Sequence, residues 1–409
     1  MWINGDRLWS RLEELYKVGA DPEGGCTRFS YTPEYLEGCG LVGKWMKEAG
    51  MTVSYDGAGN LIGRKEGTDP TAPVVALGSH IDTVKCAGMF DGCFGVLGAI
   101  EIVQAICDAG LAHRHPIEIL VFCEEEGSRF GAGLLGSRAV NGSIGKEFLY
   151  EKIDLDGKPI AEGFLAIGLD PERLEEARKP VGYYKCYLEM HIEQGCVLER
   201  NGAQLGVVSG IAGYQWLKAK VKARADHAGA TPMDLRSDAL IPAALVVTET
   251  EKIAHEIGGT LVATVGRLNV LPGNVNVVPG EVEMTFDIRD IYMDKIDLAV
   301  ARIKEAFARI CAERGVFGEM EESIRTESVI LPDHMTGAIE AAVQKSGATY
   351  RKLMSGAAHD AQMMAKITDV GMMFVPSKDG LSHSTKEWSE KADLVACANV
   401  MLETVLGLV

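Results

Sequence analysis

The 409-residue chain has no CxxC pair among its ten cysteines, which are scattered from Cys26 to Cys397. In a chain of this length that spacing argues against a disulfide framework and a cysteine zinc site, and leaves small buried thiols. A Lys/Arg-rich block is also missing: 41 basic residues stand against 58 acidic ones, for a net charge of −17. A nucleic acid or an anionic membrane surface is therefore not an expected partner. No uninterrupted apolar segment approaches the ~18 residues that a membrane span requires. Internal repeats and low-complexity tracts are absent as well. The opening "MWINGDRLWSRLEELYKVG" has no basic region leading into a continuous apolar stretch. Trp2, Leu8, Leu12 and Leu15 recur there at roughly helical spacing, which reads as a surface helix of a mature protein, not an export signal, so a cytoplasmic location is expected.

What is present is enough apolar residue, 47%, to fill the cores of two or three domains. From about residue 40 to 140, helix and strand alternate: "GLVGKWMKEAG" and "GVLGAIEIVQAICDAG" are helical, "MTVSYD" and "NLIGRKEG" strand-like. "PVVALGSHID" and "HPIEILVFCEEE" are apolar throughout and end on acidic or histidine residues. Such strands indicate a sheet buried on both faces, and in such sheets ligands gather at the carboxyl ends of the strands. From 212 to 327 the texture becomes strand, helix, strand, strand, helix, an α+β unit of the split βαβ type. The expected architecture is thus a larger α/β domain, residues 1–211 and 328–409, carrying a smaller inserted α+β domain, residues 212–327.

Six stretches hold metal-capable or catalytic side chains: "SHID", "MFDG", "CEEEGSRF", "MHIEQG", "SGAAHDA" and "GLSHSTKEW". Of the nine histidines, only His113, His115, His255 and His334 lie in stretches that look like ordinary surface. A glutamate triplet is usually a solvated face, but Glu124, Glu125 and Glu126 follow the apolar "IEILVFC", which carries at least one carboxylate toward the interior. A buried unpaired carboxylate is costly, and a cation is its usual remedy. Two-metal hydrolysis needs a bridging carboxylate, terminal ligands for each ion, and a further carboxylate to take a proton. Imidazole and carboxylate donors without thiolates suit zinc, manganese, cobalt or nickel. His80 and Asp82 are i and i+2 on a strand, so a carboxylate at 82 could hold the second imidazole nitrogen.

The order "HID", "DG", "EEEG", "HIEQG", "HAGATPM", "LPGNVNVVPGEV", "SGAAHDA" and "SHS" resembles the bi-metal aminoacylase/carboxypeptidase superfamily along nearly the whole chain. Within it the chain resembles the hydantoinase/carbamoylase branch, in which His191 stands where peptidase members usually carry a carboxylate. The resemblance implies two divalent ions bridged by Asp91, with His80 and His191 completing one site and Glu126 and His383 the other. It further implies Glu125 as general base, Asp82 as the residue orienting His80, and His227 as polariser of the scissile carbonyl, often in the partner subunit's site. Asn276 and Arg289 would hold the substrate carboxylate, Gln194 would contact substrate, and His359 and Asp360 would line the site near the second ion. Thr385 replaces the proline that many relatives carry after "SHS". The implied enzyme is a homodimer whose inserted, ferredoxin-like domain serves dimerisation and closure. It hydrolyses N-carbamoyl-L-amino acids to L-amino acid, ammonia and carbon dioxide. Allantoate is the alternative substrate; a dipeptidase, an aminoacylase and a non-catalytic binding protein fit less well.

Overall fold

All residues from 1 to 409 are described by a computed structural model, in which the apolar runs become neighbouring strands. The chain divides into two compact units, Met1–Ser209 with Leu331–Val409, and Gly210–Ile330.

In the first unit the strands lie in the order Thr52–Tyr55, Leu61–Lys65, Ile117–Phe122, Val74–His80, Tyr184–Ile192, Asp369–Val375, Leu205–Ile211, with Tyr350–Ser355 paired beside the last. Val74–His80 runs parallel to both Ile117–Phe122 and Tyr184–Ile192, and Tyr184–Ile192 runs parallel to Asp369–Val375. The register sets His80 opposite Phe122 and His191 opposite Phe374. Four parallel strands therefore deliver their carboxyl ends to one edge, where loops can gather polar side chains. Val74–His80 and Ile117–Phe122 are buried along their whole length, as expected for strands covered on both faces. The helix Cys93–Asp108 packs against Val74–His80, Ile117–Phe122 and Tyr184–Ile192, and the helix Lys391–Leu406 packs on Cys93–Asp108 and on Asp369–Val375.

Local signals set the helix ends. Thr32 caps the helix Pro33–Glu48 by accepting from the Tyr35 N–H, and Pro33 needs no N–H at its first position. Asn4 caps Gly5–Tyr16, which buries Leu8, Leu12 and Leu15; Trp2 lies before the cap and is 74% exposed, so it is not part of the apolar stripe. Seven of the ten free cysteines are buried. His113, read as surface, is buried and hydrogen-bonded through Nδ1 to the His115 carbonyl.

The second unit is a four-stranded antiparallel sheet in the order Phe317–Thr326, Gly213–Lys222, Glu281–Asp290, Val262–Leu271. Helices Leu240–Ile257 and Met293–Glu313 pack on it and on each other. Glu281–Asp290 alternates in burial residue by residue, placing Val282, Met284, Phe286 and Ile288 in the core with Ile303 and Phe307. The fourth strand, Phe317–Thr326, was not anticipated. Its "GEMEESIR" has three acidic residues in eight and is almost wholly solvent-facing, so it gives no apolar run to read.

Candidate metal centre

Three of the parallel strands end in the polar cluster. His80 is the last residue of its strand, Glu124 to Glu126 follow Ile117–Phe122 by one residue, and His191 is the penultimate residue of Tyr184–Ile192. The loop carrying Glu125 and Glu126 is fastened at several points. The Glu124 carboxylate accepts from the Phe130 N–H, the Glu125 carbonyl from the Leu134 N–H, and the Asp82 carboxylate from the Glu126 N–H.

Asp91 is shared by two trios. The donor atoms of His80, Asp91 and His191 lie within 4.8 Å of one another, and so do those of Asp91, Glu126 and His383. Asp91 Oδ1 is 3.2 Å from His191 Nε2 and 3.7 Å from His80 Nε2, whereas Oδ2 is 3.3 Å from His383 Nε2. His383 Nε2 is in turn 3.2 Å from Glu126 Oε2. One carboxylate thus turns one oxygen to each trio.

The imidazoles are oriented by main-chain carbonyls. His80 Nδ1 donates to the Asp82 carbonyl at 3.0 Å and His191 Nδ1 to the Ile192 carbonyl at 2.9 Å, so each Nε2 points into the cluster. This corrects the expected role of the Asp82 side chain. The strand ends at His80, so residue 82 does not continue the alternation, and its carboxylate stands 3.8 Å from Nδ1.

Glu125 sits beside the cluster with Oε2 3.5 Å from His80 Nε2. Burial, then the nearby carboxylates of Asp360, Glu126, Asp82 and Asp91, push its pKa well above the usual range. Asp91 moves the other way: burial would raise it, but hydrogen bonds from His191 and His383 hold it well below the ordinary value. His191 rises to about 9, because Asp91 and Glu189 outweigh a burial effect that would lower it. His383 rises to about 11 through its hydrogen bonds to Asp91 and Glu126.

Of the remaining expected residues, Gln194 joins the cluster, with Nε2 donating to Asp91 Oδ2 at 2.7 Å and a buried Oε1 that has no partner. His359 is placed differently from expectation. The His359 ring packs edge-on against His191 with centroids 4.6 Å apart, so it lies behind the His80 trio and not beside the His383 one. His359 Nε2 is hydrogen-bonded to Ser355 Oγ, and Asp360 is fully buried. His227, Asn276 and Arg289 belong to the second unit. His227 and Asn276 are exposed, and His227 lies in the short strand Asp226–His227, paired with Val277–Val278. Arg289 spends two guanidinium nitrogens on Asp287, at 2.9 and 2.8 Å, and covers the Tyr214 ring.

The profile of peptidase family M20/M25/M40 matches residues 76–407. The chain belongs to that family. Over 406 residues it is 45% identical to the N-carbamoyl-L-amino acid amidohydrolase of Geobacillus stearothermophilus, covering 99% of each chain. It is 33% identical over 384 residues to the allantoate amidohydrolase of Escherichia coli K12, covering 94% of this chain and 93% of that one. Among solved structures, an amidase of the hydantoinase/carbamoylase family from Burkholderia multivorans is 35% identical and superposes with a TM-score of 0.93 over 99% of this chain and 98% of that one.

The M20 chain's own donors fit a pair of divalent cations. The set is imidazole and carboxylate with no thiolate, as borderline and hard cations prefer. Glu126 Oε1 is buried with no hydrogen-bond partner, a position whose cost a cation would remove. Glu189 is a buried residue that sequence reasoning missed. It accepts from Ser79 Oγ, Tyr187 Oη and the Ala361 N–H beneath His191. Its only sequence signal is that "LEMHI" sets it two residues before His191, on the same strand face.

Proposed function

We infer that this M20-family hydrolase cleaves the ureido group of N-carbamoyl-L-amino acids, giving the L-amino acid, ammonia and carbon dioxide, with two divalent cations, zinc, manganese, cobalt or nickel, at the cluster. The observation that carries the chemistry is the split of Asp91 between the two trios with Glu125 alongside. Cations bound there would polarise the scissile carbonyl and make water a nucleophile near neutral pH. His80 and His191 would hold one, Glu126 and His383 the other, and Asp91 both.

Glu125 takes a proton from the attacking water and returns it to the leaving nitrogen. In the metal-free protein burial and its carboxylate neighbours raise its pKa; cations at the cluster would offset that rise and leave a carboxylate able to take the proton. Gln194, with a buried and unpartnered Oε1, offers an acceptor to a substrate N–H. His227 would hydrogen-bond the carbonyl oxygen as charge develops, and Asn276 with Arg289 would bind the substrate carboxylate, Arg289 by exchanging its pairing with Asp287. The exposure of His227 and Asn276 suits groups offered to a partner subunit, so the active species is a homodimer in which the inserted unit serves dimerisation and closure. No helix is long and apolar enough to cross a membrane, and ten free thiols suit the cytoplasm.

The carbamoyl reading is favoured over allantoate by the higher identity to the Geobacillus enzyme. Metal-reconstituted protein is to be assayed with N-carbamoyl-L-amino acids, their D-forms, allantoate and dipeptides, following ammonia, or free amino acid for the dipeptides. Highest kcat/KM on an N-carbamoyl-L-amino acid is expected. Preference for allantoate would replace the substrate assignment, and preference for dipeptides would overturn the ureido chemistry.

A further inference from the structure

Among the groups that make up the two trios, His383 has the least support from packing. Its side chain is 47% exposed, and its backbone is left-handed with φ of 53°, whereas His80, Asp91 and His191 are buried. Something other than burial must hold its loop against Asp91. Glu387, four residues on, is buried and reaches under the Asp91 loop. Its Oε1 accepts from the main-chain N–H groups of Phe90 at 2.8 Å and Asp91 at 3.2 Å. Its Oε2 accepts from Ser382 Oγ at 2.8 Å, and the same hydroxyl lies 2.6 Å from Asp91 Oδ2. The fit is close: a Cβ at Gly88 would stand 2.3 to 2.5 Å from Glu387 atoms. The Glu387 N–H closes its own loop onto the Ser384 carbonyl at 3.0 Å, spanning His383's neighbour. Beside it, Phe90 and Trp388 pack edge-on at 5.7 Å.

We propose that Glu387 is a positioning residue that clamps the Asp91 loop to the His383 loop, with Ser382 as the link, and so sets the spacing of the Asp91, Glu126 and His383 trio. This rests on the two-cation reading above. Ser382 has one proton between two carboxylates, and the Glu387 carboxylate can take it and leave Asp91 Oδ2 free for a cation; an amide at 387 keeps the two main-chain bonds but donates to Ser382, which fixes that proton on Asp91. Outer groups of this kind typically change metal affinity by roughly 10–100-fold when removed.

The test is equilibrium dialysis of metal-free protein against Co2+, with bound metal measured by elemental analysis and metal-free stability by calorimetry, for the unaltered protein, Glu387→Gln, Ser382→Ala and His383→Ala. The unaltered protein should bind two equivalents. His383→Ala marks which equivalent belongs to the second trio. Glu387→Gln should weaken that same equivalent by roughly 10–100-fold, with the other retained and the metal-free melting temperature unchanged; Ser382→Ala should weaken it in the same sense. Two equivalents bound by both variants as tightly as by the unaltered protein would overturn the proposal. So would equal loss of both equivalents together with a fall in metal-free stability, which marks a merely structural role. If Glu387→Gln does not fold, Ser382→Ala decides alone. Fewer than two equivalents in the unaltered protein would overturn the two-cation reading, and the proposal with it.

Discussion

Gly92→Ala isolates the geometry of the first trio. Gly92 has φ of +64°, and a Cβ built there would stand 2.5 to 2.6 Å from His80 Cε1, Nε2 and Cδ2. That is roughly 1 Å inside the 3.5–4.0 Å at which carbon atoms attract one another. Forcing a left-handed backbone on alanine costs about 1–2 kcal/mol, and overpacking adds about 1–3 kcal/mol. The His80 ring is fully buried and tied to the Asp82 carbonyl, so it yields only by leaving its place opposite Asp91. A misplacement of about 1 Å at such a centre can cost on the order of 100-fold in rate. The variant is therefore expected to lose roughly 100-fold or more in kcat/KM for ammonia release, to hold less metal, and to melt lower. Gly110→Ala is the control. Gly110 has φ of +63° with nothing within 4 Å of its Cβ position, so it carries the backbone cost without the collision and should keep full activity per folded molecule. Full metal content and activity in Gly92→Ala would refute the placement of His80.

Two further outcomes follow from the charges. In the metal-free protein the raised pKa values of His191, about 9, and His383, about 11, contribute stability that is complete below the ordinary imidazole value and is lost as pH rises through them. Cations compete with those protons, so metal affinity should rise over the same pH range in which the metal-free melting temperature falls; calorimetric titration at several pH values, showing proton release on binding, checks both. On the helix Cys93–Asp108, the fully buried Glu101 accepts from Arg7 at 2.7 and 2.8 Å and from Arg11 at 2.8 Å. Glu101→Ala leaves Arg11 buried without that partner and should lower unfolding free energy by about 3–5 kcal/mol, with activity per folded molecule preserved at low temperature; an unchanged denaturation midpoint would contradict it.

The parallel strands were legible because "PVVALGSHID" and "HPIEILVFC" are apolar without alternation, and their polar endings pointed to the sheet edge where His80, Glu126 and His191 meet. The proximity of Asp91 and His383 rested on motif order alone, since 292 residues separate them and no local pattern encodes that contact. Atomic roles were less readable. Alternation implied the Asp82 side chain as partner to His80, but the strand stops one residue too soon and the main-chain carbonyl takes the place. Phe317–Thr326 was hidden because an acidic, solvent-facing strand buries too little to show a pattern. Glu387 lies within "SHSTKEW", where nothing signals its bonds to residues 90 and 91, which depend wholly on tertiary packing.

In the proposed mechanism Glu125 handles the proton at a metal centre it does not itself build. The direct measurement is ammonia release from an N-carbamoyl-L-amino acid by metal-reconstituted Glu125→Gln, with bound metal determined on the same sample. The expected result is a fall in kcat of roughly 100- to 10,000-fold with metal content equal to that of the unaltered enzyme. Undiminished turnover would contradict the assignment, as would a loss of activity that simply tracks a loss of metal.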